Sequence, residues 1–372
     1  MEPIRILHIV TSMEQGGIEN FIMNNYRYID RELVQFDFLK HRDSKDWFDE
    51  EILNLGGRIY NVPSINPLKQ IKYDHQVEKF FKNNRERYSI VHSHLNALST
   101  FPLRIAKKQG IPVRIAHSHA VPTMVTYKTP IIQLSRSVIN RYATDAFACS
   151  KEAGDWLFKN RKYSIIPNSI DAEKYVTDEV ARKEIREEIN VGDGYLIGMV
   201  ASFRTIKNHS FLINVFSKVL KQIPNAYLVL VGTGKTLEEI KKQATSMNIS
   251  EHVIFMGVRK DIPRILNALD AFALPSVTEG FSIATLEAET MGLPCIVSTG
   301  VPKEVKLFEN MKTDFVSVKN EDDWVNKLIA MKNVQKNNFS ISVSNTNYDV
   351  RKNAKDLMSF YERKFSQIRS DH

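Results

Sequence analysis

The sequence contains few cysteines. Only Cys149 and Cys295 occur in 372 residues, and both lie in apolar stretches where strands are expected to end. Two separate thiols do not form the spaced sets that a disulfide framework or a cysteine-ligated zinc site requires. We therefore expect reduced, buried thiols in a cytosolic protein.

Long apolar runs are also missing. No uncharged apolar stretch approaches the roughly 20 residues that a membrane-spanning helix needs. The N-terminus leads directly into an apolar run at 4–10, without a basic leader or a cleavage site. These absences favour a cytoplasmic protein that is soluble or peripheral at the inner face of the cytoplasmic membrane.

The charge is unbalanced towards basic residues. The net charge is +8 and the pI is about 9.2, which would suit nucleic acid, an anionic membrane or a phosphorylated substrate. The lysines are scattered, and we find neither an aromatic-interleaved RNA motif nor a helix with a continuous basic face. Nucleic acid is therefore not an expected partner.

Two domains are expected from the length, since 372 residues with 43% hydrophobic content exceed one ordinary core. Continuous apolar runs alternate with segments of helical spacing such as 208–221, which predicts an α/β fold of parallel sheets covered by helices on both faces. The predicted strands cover residues 4–10, 90–92, 113–117, 146–149, 196–201, 226–231, 253–256, 271–274 and 295–298.

The alternation is interrupted around residues 166–171, before a charged helical segment at 178–188. A domain boundary is expected there. We divide the chain into 1–171, 172–347 and a C-terminal segment 348–372, whose apolar spacing predicts a helix.

Two carboxylates, Glu279 and Glu287, stand eight positions apart where a strand gives way to a helix. Eight helical residues turn through about 800°, so both carboxylates face one cleft only if Glu279 lies in the loop and Glu287 within the helix. Such a pair suits a polyol ligand. The alternative is a solvated helix with one glutamate at its first turn and another on its exposed face.

Histidines follow two early strands, as His92, His94, His117 and His119. Rossmann-like sheets bind ligands beyond the carboxyl ends of their strands, and an imidazole there orients a hydroxyl or carries a proton near neutral pH. Four imidazoles would in principle bind a metal, but no carboxylate or cysteine is near in sequence. Hydrogen-bonded histidines without a catalytic role are the alternative.

Several turns between a strand and a helix offer phosphate-binding chemistry. Gly16 and Gly17 precede a helix whose N-terminus would attract an anion, and Arg204 and Lys207 precede another. A simple tight turn and a solvated cationic loop are the alternatives.

Two further glycine turns follow later strands, at 232–235 and 257–261. The second turn would offer backbone groups to the edge of a nucleobase. Asp261, at the end of this turn, is also expected to cap the helix that follows it.

Taken in order, these motifs resemble the family 4 retaining glycosyltransferases of the GT-B fold, and among them the bacterial exopolysaccharide and capsule enzymes of the EpsF type. The resemblance implies two Rossmann-like doubly wound domains with an interdomain cleft. The N-terminal domain would bind the acceptor, the C-terminal domain would bind the nucleotide-sugar donor, and the last helix would pack back on the N-terminal domain. The motifs lie at 16–19, 92–94, 117–119, 166–171, 207–209, 232–234, 275–276, 279–287 and 292–294.

The resemblance also implies roles for individual residues. His119, Glu279 and Lys207 would be catalytic, with His117 as the alternative to His119. Glu279 would hold sugar hydroxyls, Glu287 the ribose and Lys207 the diphosphate. The implied donor-binding set is Gly16, Gly17, Arg204, Lys207, Gly234, Gly257, Arg259, Glu279, Gly280, Phe281, Ser282 and Glu287.

The implied reaction moves a hexose or N-acetylhexosamine, with retention, from a nucleotide sugar expected to be UDP-linked to a lipid-diphosphate-linked glycan in exopolysaccharide or capsule biosynthesis. No D-x-D motif follows a predicted strand, so we expect no metal and no cofactor beyond the nucleotide sugar. Segment 124–142, with Lys128, Arg136 and Arg141 among apolar residues, is typical of an amphipathic surface in peripheral contact with an anionic membrane. A core-facing helix explains this pattern nearly as well.

The chain departs from the family pattern at two positions. Ser202 stands where members carry an arginine five residues before the lysine, so Arg204 would have to supply that charge. Ser169 stands where a glycine is preferred, and a positive φ there would add strain. The loss of the arginine leaves an alternative function, a catalytically weakened GT-B subunit that serves as a binding or scaffold partner of another transferase.

Overall fold

The computed structural model describes residues 2–14, 16–119 and 129–370. The chain divides into two compact units. Unit 1 comprises Met1–Ser169 with Asn347–His372, and unit 2 comprises Ile170–Thr346.

Unit 1 is built on a seven-stranded parallel sheet in the order β3-β2-β1-β4-β5-β6-β7. Its strands are β1 Ile4–Val10, β2 Val34–Lys40, β3 Ile59–Asn61, β4 Ile90–Ser93, β5 Val113–Ser118, β6 Asp145–Ala148 and β7 Ser164–Ile165. Its first six helices are α1 Gly17–Tyr28, α2 Asp49–Asn54, α3 Gln70–Asn83, α4 Thr100–Lys108, α5 Thr129–Val138 and α6 Lys151–Phe158, with short 3-10 helices at Pro67–Lys69, Asn96–Ser99 and Ile139–Arg141.

Unit 2 is built on a six-stranded parallel sheet in the order β10-β9-β8-β11-β12-β13. Its helices are α7 Glu179–Glu188, α8 His209–Gln222, α9 Leu237–Ser246, α10 Ile262–Ala268, α11 Ile283–Thr290, α12 Glu321–Met331 and α13 Ser340–Ser344, with 3-10 helices at Ala172–Lys174, Thr205–Lys207, Ser250–His252 and Lys303–Val305. Its strands are β8 Tyr195–Val200, β9 Ala226–Val231, β10 Val253–Gly257, β11 Ala271–Leu274, β12 Cys295–Ser298 and β13 Thr313–Val316.

The last helix, α14 Val350–Ser370, belongs to unit 1. Its apolar side chains Ala354, Leu357 and Tyr361 are buried in one cluster with Phe21 and Tyr26 of α1. Burial of each such large side chain removes apolar surface from water and stabilises the unit by about 2 kcal/mol. The helix expected within segment 348–372 is thus present, over residues 350–370.

All nine predicted strands are present, but β2, β3, β7 and β13 were not predicted. β2 shows why, because Gln35 and Asp37 interrupt its apolar pattern although every residue of the strand is buried. Asp37 accepts hydrogen bonds from Arg5 Nη2 at 2.6 Å, from Tyr88 Oη at 2.7 Å and from the Arg58 backbone N–H at 2.7 Å. A buried carboxylate is tolerated when charge and hydrogen bonds satisfy it, and here most of these partners come from other elements.

Three smaller expectations have clear outcomes. Cys149 and Cys295 are buried and unpaired, as predicted. Ser169 is not among the described non-glycine residues with positive φ, so it carries no strain of that kind. None of the described helices is both long enough and apolar enough to cross a membrane.

Candidate active site

The strand order of unit 2 reverses between β8 and β11, two neighbouring strands that are distant in sequence. From this pair the chain builds outwards in opposite directions. In sheets of this type ligands bind outside the carboxyl ends of the strands at the point of reversal. The loop after β8 carries Lys207, and the loop after β11 carries Glu279.

Lys207 and Glu279 form an ion pair between Nζ and Oε1. Ser276 donates its hydroxyl to the same Glu279 oxygen at 2.7 Å. The Lys207 side chain is 22% exposed and that of Glu279 is 11% exposed, so both charges are largely removed from water. The two loops are also joined by a hydrogen bond of 2.8 Å from the Val277 backbone N–H to the Ile206 carbonyl oxygen. A cation for phosphate and a carboxylate for hydroxyls thus stand together at the reversal point.

The backbone around Glu279 is held by a close approach of two loops. The Glu279 N–H donates to the carbonyl oxygen of Gly300 at 2.9 Å. A Cβ on Gly300 would collide with the carbonyl oxygen of Val277, so only glycine permits this approach. The position of the Glu279 carboxylate therefore depends on a glycine that the sequence analysis did not select.

Glu287 lies in α11, in the second turn, while Glu279 lies in the preceding loop, as the spacing predicted. The helix cap is Ser282, whose Oγ accepts from the Thr285 N–H at 3.2 Å, so the alternative of a glutamate cap is wrong. Glu287 accepts a hydrogen bond from Tyr175 Oη at 2.5 Å. Burial raises the pKa of the Glu287 carboxyl to about 7, although the Tyr175 hydroxyl favours its charged form.

The glycine turn after β9 packs against the loop after β8. Gly234 has φ +151°, and a Cβ there would collide with the Phe203 carbonyl oxygen. The Phe203 N–H in turn donates to the Thr233 carbonyl oxygen at 2.8 Å. Gly257 also has a positive φ, +63°, but nothing lies within 4 Å of the place a Cβ would take. Gly234 is therefore required by space as well as by conformation, and Gly257 by conformation alone.

Two predicted donor-binding arginines differ in their surroundings. Arg204 is exposed, and among the described residues it has no ion-pair partner. Arg259 is held by Asp261 through Nη2 at 2.8 Å and by Glu188 through Nη1 at 2.5 Å. Asp261 precedes α10 but makes no side-chain cap hydrogen bond, so its expected capping role is wrong. Its carboxylate binds Arg259 instead, and this contact lowers the pKa of Asp261.

Unit 1 buries five histidines on or directly after three neighbouring strands: His8, His92, His94, His117 and His119. One chain of hydrogen bonds runs from His8 Nδ1 to His94 Nε2 at 2.9 Å and from His94 Nδ1 to His119 Nε2 at 2.8 Å. A second chain joins His92 to His117 at 3.1 Å, and Tyr361 Oη of α14 lies 2.7 Å from His92 Nδ1. The two chains stack on each other, with ring centroids 4.0 to 4.2 Å apart.

Burial lowers the pKa of every imidazole in this cluster. The pKa of His8 and that of His119 fall to about 3, and those of the other three lie well below the ordinary value. All five rings are therefore neutral at pH 7, which favours a hydrogen-bonding role over proton carriage. His119, just beyond the end of β5, is the most exposed at 8%, whereas His117 is fully buried.

Two trios of these histidines have nitrogens within 4.8 Å of one another: His8, His92 and His94, and His94, His117 and His119. A metal ion could bridge such a spacing. No metal was expected from the sequence, because no acidic or cysteine ligand is near the four histidines, and His8 was not among the candidate ligands. The nitrogens that join these rings are already engaged in hydrogen bonds, so a metal would have to displace them.

The glycine pair lies at the start of α1. Gly16 occupies the N-cap position without a side-chain cap, and the place of a Cβ on Gly17 is open. The Glu19 carboxyl lies against Gly16, and burial raises its pKa to about 7. The helix start therefore remains sterically open at Gly17, with a carboxyl of raised pKa beside it.

A cavity of about 800 Å³ lies at the other end of the unit 2 strands, near Tyr195 and Asp270. Arg182 and Arg186 both pair with Asp270, at 2.6 and 3.3 Å. Because it adjoins the amino ends of β8 and β11, we do not assign the substrate to it.

Part of the predicted lipid-facing segment is outside the described residues, which resume at Thr129. Within α5, Leu134 is exposed, whereas Ile132 packs on the core of unit 1. Membrane contact therefore stays a prediction, and Lys128 lies outside the described residues.

Comparison with known proteins identifies the family of the chain. Residues 15–174 match the family model described as Glycosyltransferase Family 4, and residues 181–355 match the model described as Glycosyl transferases group 1. The chain is 34% identical to EpsF of Bacillus subtilis (strain 168) over 81% of this chain and 80% of that protein. The chain belongs to glycosyltransferase family 4. The predicted resemblance is confirmed.

This family 4 glycosyltransferase is also 25% identical, over 88% of each chain, to the Escherichia coli UDP-Gal:alpha-D-GlcNAc-diphosphoundecaprenol alpha-1,3-galactosyltransferase. Among solved structures, Anabaena Alr3699/HepE in complex with UDP and glucose has a TM-score of 0.79 at 19% identity, over 96% of this chain and 99% of that one. Sucrose-phosphate synthase from Thermosynechococcus elongatus has a TM-score of 0.78 at 15% identity, over 98% and 99%. The predicted GT-B fold is confirmed.

His8 and Tyr175 were not predicted, although His8 contacts the candidate His94 and Tyr175 contacts Glu287. His8 is an imidazole in the mostly apolar run at 4–10, and this irregularity was the available signal. Tyr175, the partner of Glu287, gives no local signal, because 112 residues separate the two.

Proposed function

We propose that this glycosyltransferase moves a hexose or N-acetylhexosamine from a UDP-sugar to a lipid-diphosphate-linked glycan, with retention at the anomeric carbon and without a metal. The observation that carries the proposal is the Lys207–Glu279 pair at the strand reversal of unit 2. A diphosphate and a sugar present the anion and the hydroxyls that these two side chains bind best.

The donor and acceptor classes draw on the relatives. The Escherichia coli relative is named for a UDP-linked galactose and a diphosphoundecaprenol acceptor, and Alr3699/HepE structures hold UDP-glucose or UDP. Both support a UDP-sugar donor. The first also supports a lipid-diphosphate acceptor and a place in surface-polysaccharide assembly.

In the proposed mechanism Lys207 exchanges Glu279 for the diphosphate and neutralises the charge that grows as the glycosidic bond breaks. Glu279 accepts hydrogen bonds from sugar hydroxyls, and Glu287 accepts them from the ribose. The leaving diphosphate oxygen takes the proton of the attacking hydroxyl on the same face of the sugar, so the configuration is retained. His119, neutral at pH 7, orients a substrate group by a hydrogen bond.

Ser202 favours a second candidate function, because the family arginine that it replaces would add a cation beside the diphosphate. A chain without that charge would serve as a weakened subunit that binds a partner transferase. Arg204, which is exposed and has no ion-pair partner among the described residues, is the side chain that would supply the charge in an active enzyme.

Purified protein, a panel of UDP-sugars and a lipid-diphosphate-linked sugar acceptor test the proposal. We expect transfer that EDTA does not slow and a product of unchanged anomeric configuration by NMR. Glu279→Gln should lower kcat/KM about 100-fold, whereas the control Glu304→Gln, at an exposed position of unit 2, should leave it unchanged. Absence of transfer with every donor, together with wild-type donor binding by Glu279→Gln, would overturn the proposal.

A further inference from the structure

A chain of three imidazoles crosses unit 1 at the place where its strand order reverses. His8 lies on β1 and His94 directly after β4, the two strands between which the order reverses. Their 2.9 Å hydrogen bond continues through His94 to His119 at 2.8 Å. The chain thus links the core of the unit to the carboxyl end of β5, where the most exposed ring of the five lies.

In such a chain, the nitrogen that is protonated in one ring determines which nitrogen is protonated in the next. A neutral imidazole has one nitrogen that donates and one that accepts. His8 uses Nδ1 and His94 uses both nitrogens in the chain, and His119 enters it through Nε2. The direction of the first hydrogen bond therefore determines which nitrogen of His119 carries the proton.

The far end of the chain determines that direction. His8 Nε2 is buried and has no hydrogen-bond partner among the described residues. A buried N–H without an acceptor is rare in native proteins, so Nε2 is the nitrogen without hydrogen and the proton is on Nδ1. His8 then donates to His94, and His94 donates through Nδ1 to His119 Nε2. The remaining proton of His119 must be on its Nδ1.

We propose that His8 and His94 are positioning residues that fix His119 as the Nδ1–H tautomer. In this form His119 presents a hydrogen-bond donor to its ligand, which must offer an acceptor oxygen such as a sugar hydroxyl or an acetamido carbonyl. The stacked His92–His117 pair holds the ring planes, with centroids 4.2 Å from His94 and 4.0 Å from His119. The hydrogen bond from His119 to a sugar rests on the proposed function, whereas the tautomer assignment does not.

NMR of the full chain labelled with ¹⁵N-histidine tests the tautomer directly, since two-bond couplings distinguish a protonated Nδ1 from a protonated Nε2. Signals are assigned from their loss in single histidine variants. At pH 7 we expect His8, His94 and His119 all to carry the proton on Nδ1. A proton on Nε2 of His119 would overturn the proposal. Histidine chemical shifts typical of metal binding, appearing in place of this pattern when Zn²⁺ is added, would also overturn it.

Matched variants at His8 test its action on His119. In His8→Asp the ionised carboxylate can only accept, so His94 must donate from Nε2, the chain reverses, and His119 should shift towards the Nε2–H tautomer. We expect kcat/KM to fall about tenfold. His8→Asn places an amide N–H near the position of Nδ1 and should restore the tautomer and most of the rate.

Thermal melting of both variants checks that each one is folded. Equal losses in His8→Asp and His8→Asn, with the His119 tautomer unchanged, would overturn the positioning role. If the wild-type tautomers are as stated but His119→Ala transfers sugar normally, the proposed role of His119 in transfer fails while the tautomer assignment stands. If His8→Asp does not fold, the wild-type spectrum decides the tautomer assignment.

Discussion

The affinity for a nucleotide sugar should depend on pH through Glu287. Its carboxyl has a pKa of about 7, raised by burial, so at neutral pH about half of the free protein carries it protonated. If Glu287 holds ribose hydroxyls, the ionised form binds better, because a carboxylate accepts hydrogen bonds that a protonated carboxyl accepts poorly. Binding should therefore weaken as the pH falls.

The magnitude follows from the pKa. With a pKa of about 7, the ionised fraction is about 0.9 at pH 8 and about 0.1 at pH 6. If only the ionised form binds, the apparent affinity falls by the same ratio, about tenfold, which corresponds to about 1.4 kcal/mol. The same shift has the opposite sign for folding. A raised carboxyl pKa stabilises unit 2 below the unfolded value, and this contribution is lost as the pH rises through 7.

Calorimetric titration with UDP-glucose between pH 6 and 8 measures the effect, because this ligand has no ionisation in that range. Glu287→Gln should abolish the dependence. The control is Glu289→Gln on the same helix. Glu289 has a pKa of about 8 for the same reason, but it is buried against Thr313, so the dependence should persist. A pH dependence that survives in Glu287→Gln would refute the reasoning.

Three further outcomes are expected. Gly234→Ala should lower the free energy of unfolding by about 2 kcal/mol in urea because of its positive φ and the blocked Cβ position, whereas Gly17→Ala, with open space, should not lower it. Asp37→Asn leaves Arg5, whose side chain is only 16% exposed, without its charge partner and should cost about 3 kcal/mol, whereas exposed Asp155→Asn should leave the urea midpoint unchanged. Ser202→Arg should raise kcat by less than about threefold if Arg204 already neutralises the diphosphate, and a gain of tenfold or more would favour the weakened subunit.

Local pattern was sufficient for much of the fold. The central strands of both sheets are continuous apolar runs, because helices cover both faces of a parallel sheet. β2 was not predicted because Asp37 interrupts its apolar pattern. The buried Asp37 is stabilised by Arg5 and Tyr88, which are 32 and 51 residues away in sequence. Short edge strands such as β7 carry too few residues for any pattern.

The features of the candidate site also fall into two groups, those determined locally and those that depend on residues distant in sequence. The placement of Glu279 in a loop and Glu287 in a helix, the glycine turns and the position of His119 beyond a strand are local properties, and the sequence alone determined them. The partners are not local. Lys207 contacts Glu279 across 72 residues and His8 contacts His94 across 86, because the order of strands in each sheet makes these positions neighbours. Burial and hydrogen-bond partners set the pKa and the tautomer of a side chain, so only the tertiary structure decided the chemical state of these groups.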